Sequence, residues 1–200
     1  MRKRSPDVVI DQFQDELRVA LSDWGILMAG HTGAVAGRAS MDAFTRIAVA
    51  FERFRSDWHI AAITRDSSAF AASQQRRAEV ALDEGKRECL KPYMTISIPK
   101  HPTLEQVEGL LDPAGGNLSI SAMGAWEKLA KKHLADPWRA RVTTIGQPVA
   151  AVADAVIAVR NAAAHQSARS LDTMNRRLDA LTHPVEHACQ GSAGTAQWRS

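Results

Sequence analysis

The chain has 200 residues, 45% of them hydrophobic and 24% charged, with a net charge of +3 and a mean hydropathy of -0.23. That is a globular composition with enough length for a substantial core. No run of about 18 apolar residues occurs, which argues against a membrane span, and MRKRSPDVVIDQF lacks the apolar centre of a signal peptide. Cys89 and Cys189 lie far apart in no metal-type spacing, so reduced thiols and a cytoplasmic location are expected. Eighteen arginines stand against seven lysines. Arginine suits bidentate phosphate contacts, although coding bias produces the same skew.

Abundant alanine and few β-branched runs point to an all-α fold. Ser5-Pro6 reads as a helix start, and Val9, Phe13, Leu17, Leu21 and Trp24 continue it at helical spacing to about Met28. GHTGAVAGRAS follows as a glycine-rich flexible linker. No Gly-Lys-Ser/Thr accompanies its glycines, so it is not a phosphate loop. Ser40 caps a second helix, whose Phe44, Ile47, Phe51, Phe54 and Trp58 form an aromatic stripe expected in the core. A third, strongly charged helix runs from Ser67 or Ser68 to about Leu90. Its Arg76 and Arg77 are candidate nucleic-acid contacts, against the commoner reading of a solvated face.

Residues 91–120 read as an irregular insertion. Tyr93 to Ile98 alternates like a strand but has no partner strand, so an extended loop is expected. Thr103-x-x-Gln106 is a capping box for a short helix. Another helix carries Met123, Trp126, Leu129, Ala130 and Leu134 inward, with Lys128, Lys131, Lys132 and His133 outward. Arg139 and Arg141 fall in a linker.

Pro148 then opens a helix that is apolar nearly all round from Val149 to Val159, with Asp154 the one interruption. Such a helix is expected to be central, packed on several faces. Arg160, Asn161 and His165 stand at its end. Asn161 and His165, four apart, share a face, so Asn161 is placed to orient the imidazole. Arg160 and His165, five apart, diverge by roughly 140° on a regular helix. Ala162 to Ala164 leave room for another helix or a nucleic-acid backbone. Ser167 or Ser170 caps a last helix striped by Leu171, Met174, Leu178 and Leu181. Residues 183–200 read as a flexible tail. Its His183, Glu186, His187 and Cys189 are ligand types, but Pro184 breaks the spacing and no metal is expected.

Arg160-Asn161-Ala-Ala-Ala-His165, at the end of an apolar helix followed by a capped one, resembles the signature of the HEPN superfamily of small helical nucleases. The aromatic helix and the insertion look like its RiboL-PSP-type branch. The resemblance implies a HEPN-like bundle of four to five main helices over residues 5–182. It also implies metal-independent, cofactor-free cleavage of RNA, in which the 2′-OH attacks the adjacent phosphate. Arg160 would steady the phosphate, His165 move the proton, and Asn161 orient or contact the substrate. Arg76, Arg77, Arg139, Arg141 and Arg169 are secondary RNA-contact candidates. The family further implies a homodimer with a composite site, and a toxin or phage-defence setting with an antitoxin or regulatory partner. Some members are non-catalytic modules binding RNA, nucleotide or protein, so a dimeric binding module is the alternative.

Overall fold

The computed structural model describes residues 5–84, 88–93, 99, 101–111 and 118–182. Among them every regular element is helical, and no helix is long and apolar enough to cross a membrane. The chain divides into two compact units, Met1–Ile145 and Gly146–Ser200. The division falls inside the 5–182 span.

The larger unit is built on a long antiparallel hairpin of α1 (Pro6–Gly30) and α2 (Gly33–Arg65). Only His31 and Thr32 separate them, and Gly33 has φ of 60°, a value open to glycine at little cost. The flexible linker expected over residues 30–40 is therefore mostly helix. Ala34, Ala36 and Ala39 favour helix, and packing on α1 buries Ala36. Ser40, expected as a cap, sits inside α2, where its Oγ accepts a hydrogen bond from Trp24 Nε1 at 3.0 Å. Phe13 stacks on Phe54 with ring centroids 4.6 Å apart, and ion pairs Glu16–Arg53 and Asp23–Arg46 cross the hairpin.

The helix packed on several faces is the last third of α2. Arg55 and all residues from Trp58 to Thr64 are buried. Around it stand α3 (Ser68–Glu84), a 3-10 segment Glu88–Tyr93, α4 (Leu104–Leu111), α5 (Met123–His133) and α6 (Trp138–Thr143). Phe70, Val107, Trp126, Ala130, Leu134 and Val142 complete the core. Trp126 meets Trp58 edge to face at 5.7 Å, and Trp58 meets Trp138 at 6.4 Å. Ser56 Oγ donates to the Leu118 carbonyl, tying α2 to the chain before α5. The Thr103 box forms as expected: Thr103 N–H donates to Gln106 Oε1 at 2.9 Å, and Gln106 N–H to Thr103 Oγ1 at 3.3 Å. Tyr93, expected in an extended loop, closes the 3-10 segment; residues 94–98 lie outside the described residues.

The smaller unit contains α7 (Gln147–His165) and α8 (Ala168–Thr182), which pack along each other. Pro148 is in the first turn as expected. α7 is not buried all round, against the expectation from its near-continuous apolar run. Val149 and Val152 are exposed, while Ala155, Ile157, Ala158 and Ala162 are buried. Much of its apolar character is alanine, whose single methyl demands little cover. Asp154, almost buried, is 3.5 Å from Arg177 Nη1 on α8. Residues 183–200, read as a flexible tail, lie outside the described residues.

Candidate functional site

The α7 end holds all three residues of the Arg-x4-His pattern. Arg160 and Asn161 are partly buried, and His165, the last residue of α7, is exposed. Arg160 Nη1 donates to Asn161 Oδ1 at 2.9 Å. Asn161 is thus joined to the guanidinium, which corrects the expectation that it orients the His165 ring. A carboxamide oxygen beside a permanent cation gains a charge-assisted bond.

α7 stays regular up to His165. Gln166 then reverses the chain at φ 48° and ψ 24°, with its N–H donating to the Ala162 carbonyl at 2.9 Å. Ser167 and Ser170 cap α8 reciprocally: Ser170 N–H donates to Ser167 Oγ at 3.2 Å, and Ser167 N–H to Ser170 Oγ at 3.1 Å. The imidazole therefore sits at a fixed corner between two capped helices. Because the helix does not loosen, the angular divergence of Arg160 and His165 stands. Of the alanine run, Ala162 is buried and Ala164 exposed.

The secondary arginines stand on three different helices. Arg169 is exposed in the first turn of α8. Arg76 and Arg77 are exposed on α3. Arg139 and Arg141 lie not in a linker but in α6. Arg139 pairs with Asp136. Arg141 bonds Asp7 Oδ1 at 2.8 Å and lies 4.8 Å over the Trp138 ring, so it ties α6 to α1.

One polar constellation escaped the sequence reading. His59 Nε2 lies 3.4 Å from His133 Nδ1 in the core of the larger unit, with Phe70 edge-on to His133 at 5.4 Å. One turn before His59, the wholly buried Arg55 lays its guanidinium 4.8 Å over the Phe51 ring. Burial first, then the neighbouring His133, lowers the His59 pKa from 6.5 to about 3. Burial first, then Lys132, lowers that of His133 to about 4. Both rings are neutral at neutral pH. His133 was expected outward with the lysines, and it is buried. The signal was present: steps of seven from Trp126 and three from Ala130 both land on His133.

Among the described residues no group of three or more His, Cys, Asp or Glu is placed to hold a metal ion. The His183 to Cys189 cluster lies outside them. Cys89 is a free, exposed thiol. Comparison with protein-family models, curated proteins and solved structures gave no match.

Proposed function

We propose that the chain is a HEPN-like endoribonuclease that works through Arg160, Asn161 and His165. One observation carries the reading: a half-buried guanidinium braced by Asn161 and an exposed imidazole at a capped corner close the same helix. Arginine keeps its charge at any working pH and matches a phosphate with two donors. Histidine is the side chain suited to proton transfer near neutrality. In the reaction the ribose 2′-OH gives up its proton to a base, and its oxygen bonds the adjacent phosphorus. The P–O5′ bond breaks, and the departing 5′ oxygen takes a proton. The products are a 2′,3′-cyclic phosphate and a 5′-hydroxyl.

On one regular helix Arg160 and His165 diverge by roughly 140°. A single chain is therefore poorly built to present both to one phosphate, and Arg160 of one copy works with His165 of another. The test is RNA cleavage in EDTA, with the cyclic phosphate as the diagnostic product. Arg160→Ala and His165→Ala each abolish it, with helicity unchanged. Mixing the two inactive proteins restores about a quarter of the activity, because half the dimers are mixed and each holds one intact composite site. Variants that cut like the wild type would remove the assignment. RNA binding without product would favour the binding-module alternative.

A further inference from the structure

The chain leaves α7 by a different route from the helices before it. α1, α2 and α5 end on the extended residues His31, Asp66 and Leu134. α7 ends on Gln166, in the left-handed region at φ 48° and ψ 24°. Among the described residues no other side-chain-bearing residue has a positive φ. A Cβ is crowded in that conformation, and glycine is the usual residue at a helix end of this kind. Asparagine and aspartate tolerate it because a short polar side chain reaches the local backbone. Glutamine is a methylene longer and lacks that compensation. The turn itself is explained by the bond from the Gln166 N–H to the Ala162 carbonyl, which closes α7. The side chain is not, because glycine makes the same bond.

Gln166 is exposed, and its carboxamide makes no hydrogen bond to a described residue. Its neighbours Ser167 and Ser170 use their hydroxyls in the α8 cap. A carboxamide holds a donor and an acceptor side by side, which is the pattern that a nucleobase edge presents. Gln166 directly follows His165, their Cα atoms about 3.8 Å apart. In an unpaired RNA strand the base edges are free to be read. A strand that brings a phosphate to the imidazole carries the flanking base past this carboxamide. Such a contact gives a reason for a side chain held where the backbone disfavours one.

We infer that Gln166 contacts the base flanking the cleaved phosphate and sets which bases are preferred there, an inference that rests on the ribonuclease reading of Arg160 and His165. The full chain is tested on a random-sequence RNA pool in EDTA, with the new 5′-hydroxyl ends mapped by sequencing. The wild type is expected to favour particular bases beside the cut. Gln166→Gly, which suits the corner better, is expected to melt no lower than the wild type. It still cuts, but kcat/KM at the favoured sites falls by about ten- to a hundredfold and the preference flattens. Gln166→Glu keeps the reach and loses the donor, so the favoured bases change. A Gln166 that only shapes the turn predicts the same ends at the same rate from the glycine variant. That result would overturn the inference, as would a wild type without base preference or a glycine variant that melts early; all three leave Arg160 and His165 as the cutting pair. Cleavage that survives His165→Ala, or no cyclic phosphate from the wild type, would remove the ribonuclease reading and this inference with it.

Discussion

Two histidine settings divide this chain. In the larger unit, His59 and His133 face each other inside the packing, and burial suppresses their protonation. In the smaller unit, His165 stands exposed at the corner where α7 turns into α8. The same side chain is a neutral packing element in one place and stands open to water in the other. Water access decides between them, because a buried imidazole loses the hydration its charged form needs.

The largest expected effect sharpens that contrast. His165→Ala lowers RNA cleavage by about 10²–10⁴-fold, the range of general acid–base catalysis, and leaves the melting temperature unmoved. His59→Ala does the reverse. It opens a cavity beside His133 and costs about 2–5 kcal/mol, measured by urea unfolding, while cleavage per folded molecule is unchanged. A His165 variant that melts early, or a His59 variant that is stable but inactive, would break the division.

Acid provides the next test. In the unfolded chain both buried rings bind a proton near 6.5, and in the folded chain only near 3 and 4. Between those values the unfolded state holds more protons, so stability rises with pH. The contribution is fully present above 6.5 and is lost as pH falls toward 4 and then 3, at no more than about 1.4 kcal/mol per pH unit for each ring. Unfolding free energies over pH 3 to 8 check the slope, and His59→Phe flattens it. By NMR, His59 and His133 do not titrate between pH 5 and 8.

Smaller effects belong to the surface. Thr103→Ala removes one half of the α4 capping box and costs about 1 kcal/mol. Arg53→Ala breaks the exposed pair with Glu16 and costs less than about 1 kcal/mol, less again in high salt. Thermal denaturation resolves both.

The candidate site was legible in part. Arg160, Asn161 and His165 were picked out by spacing, and they do close one helix. The bond that joins Arg160 to Asn161 was not, because four-residue spacing assigns Asn161 to His165 and ignores which partner carries charge. Arg139 and Arg141 read as linker cations. Their pairs with Asp136 and Asp7 need a helix that short-range signals left unmarked, and Asp7 lies far back in the sequence.

By itself the sequence determined the helical character of the chain, the starts at Pro6, Thr103 and Pro148, and the aromatic stripe from Phe44 to Trp58. Each of these is fixed within a turn or two, by a missing N–H, a side-chain cap or the step of 3.6 residues. Tertiary structure decided which stretches of apolar helix are buried on several faces, that residues 33–40 join α2, and that His133 turns inward. Apolar periodicity reports that a face wants cover; only the packing of distant segments determines which face receives it.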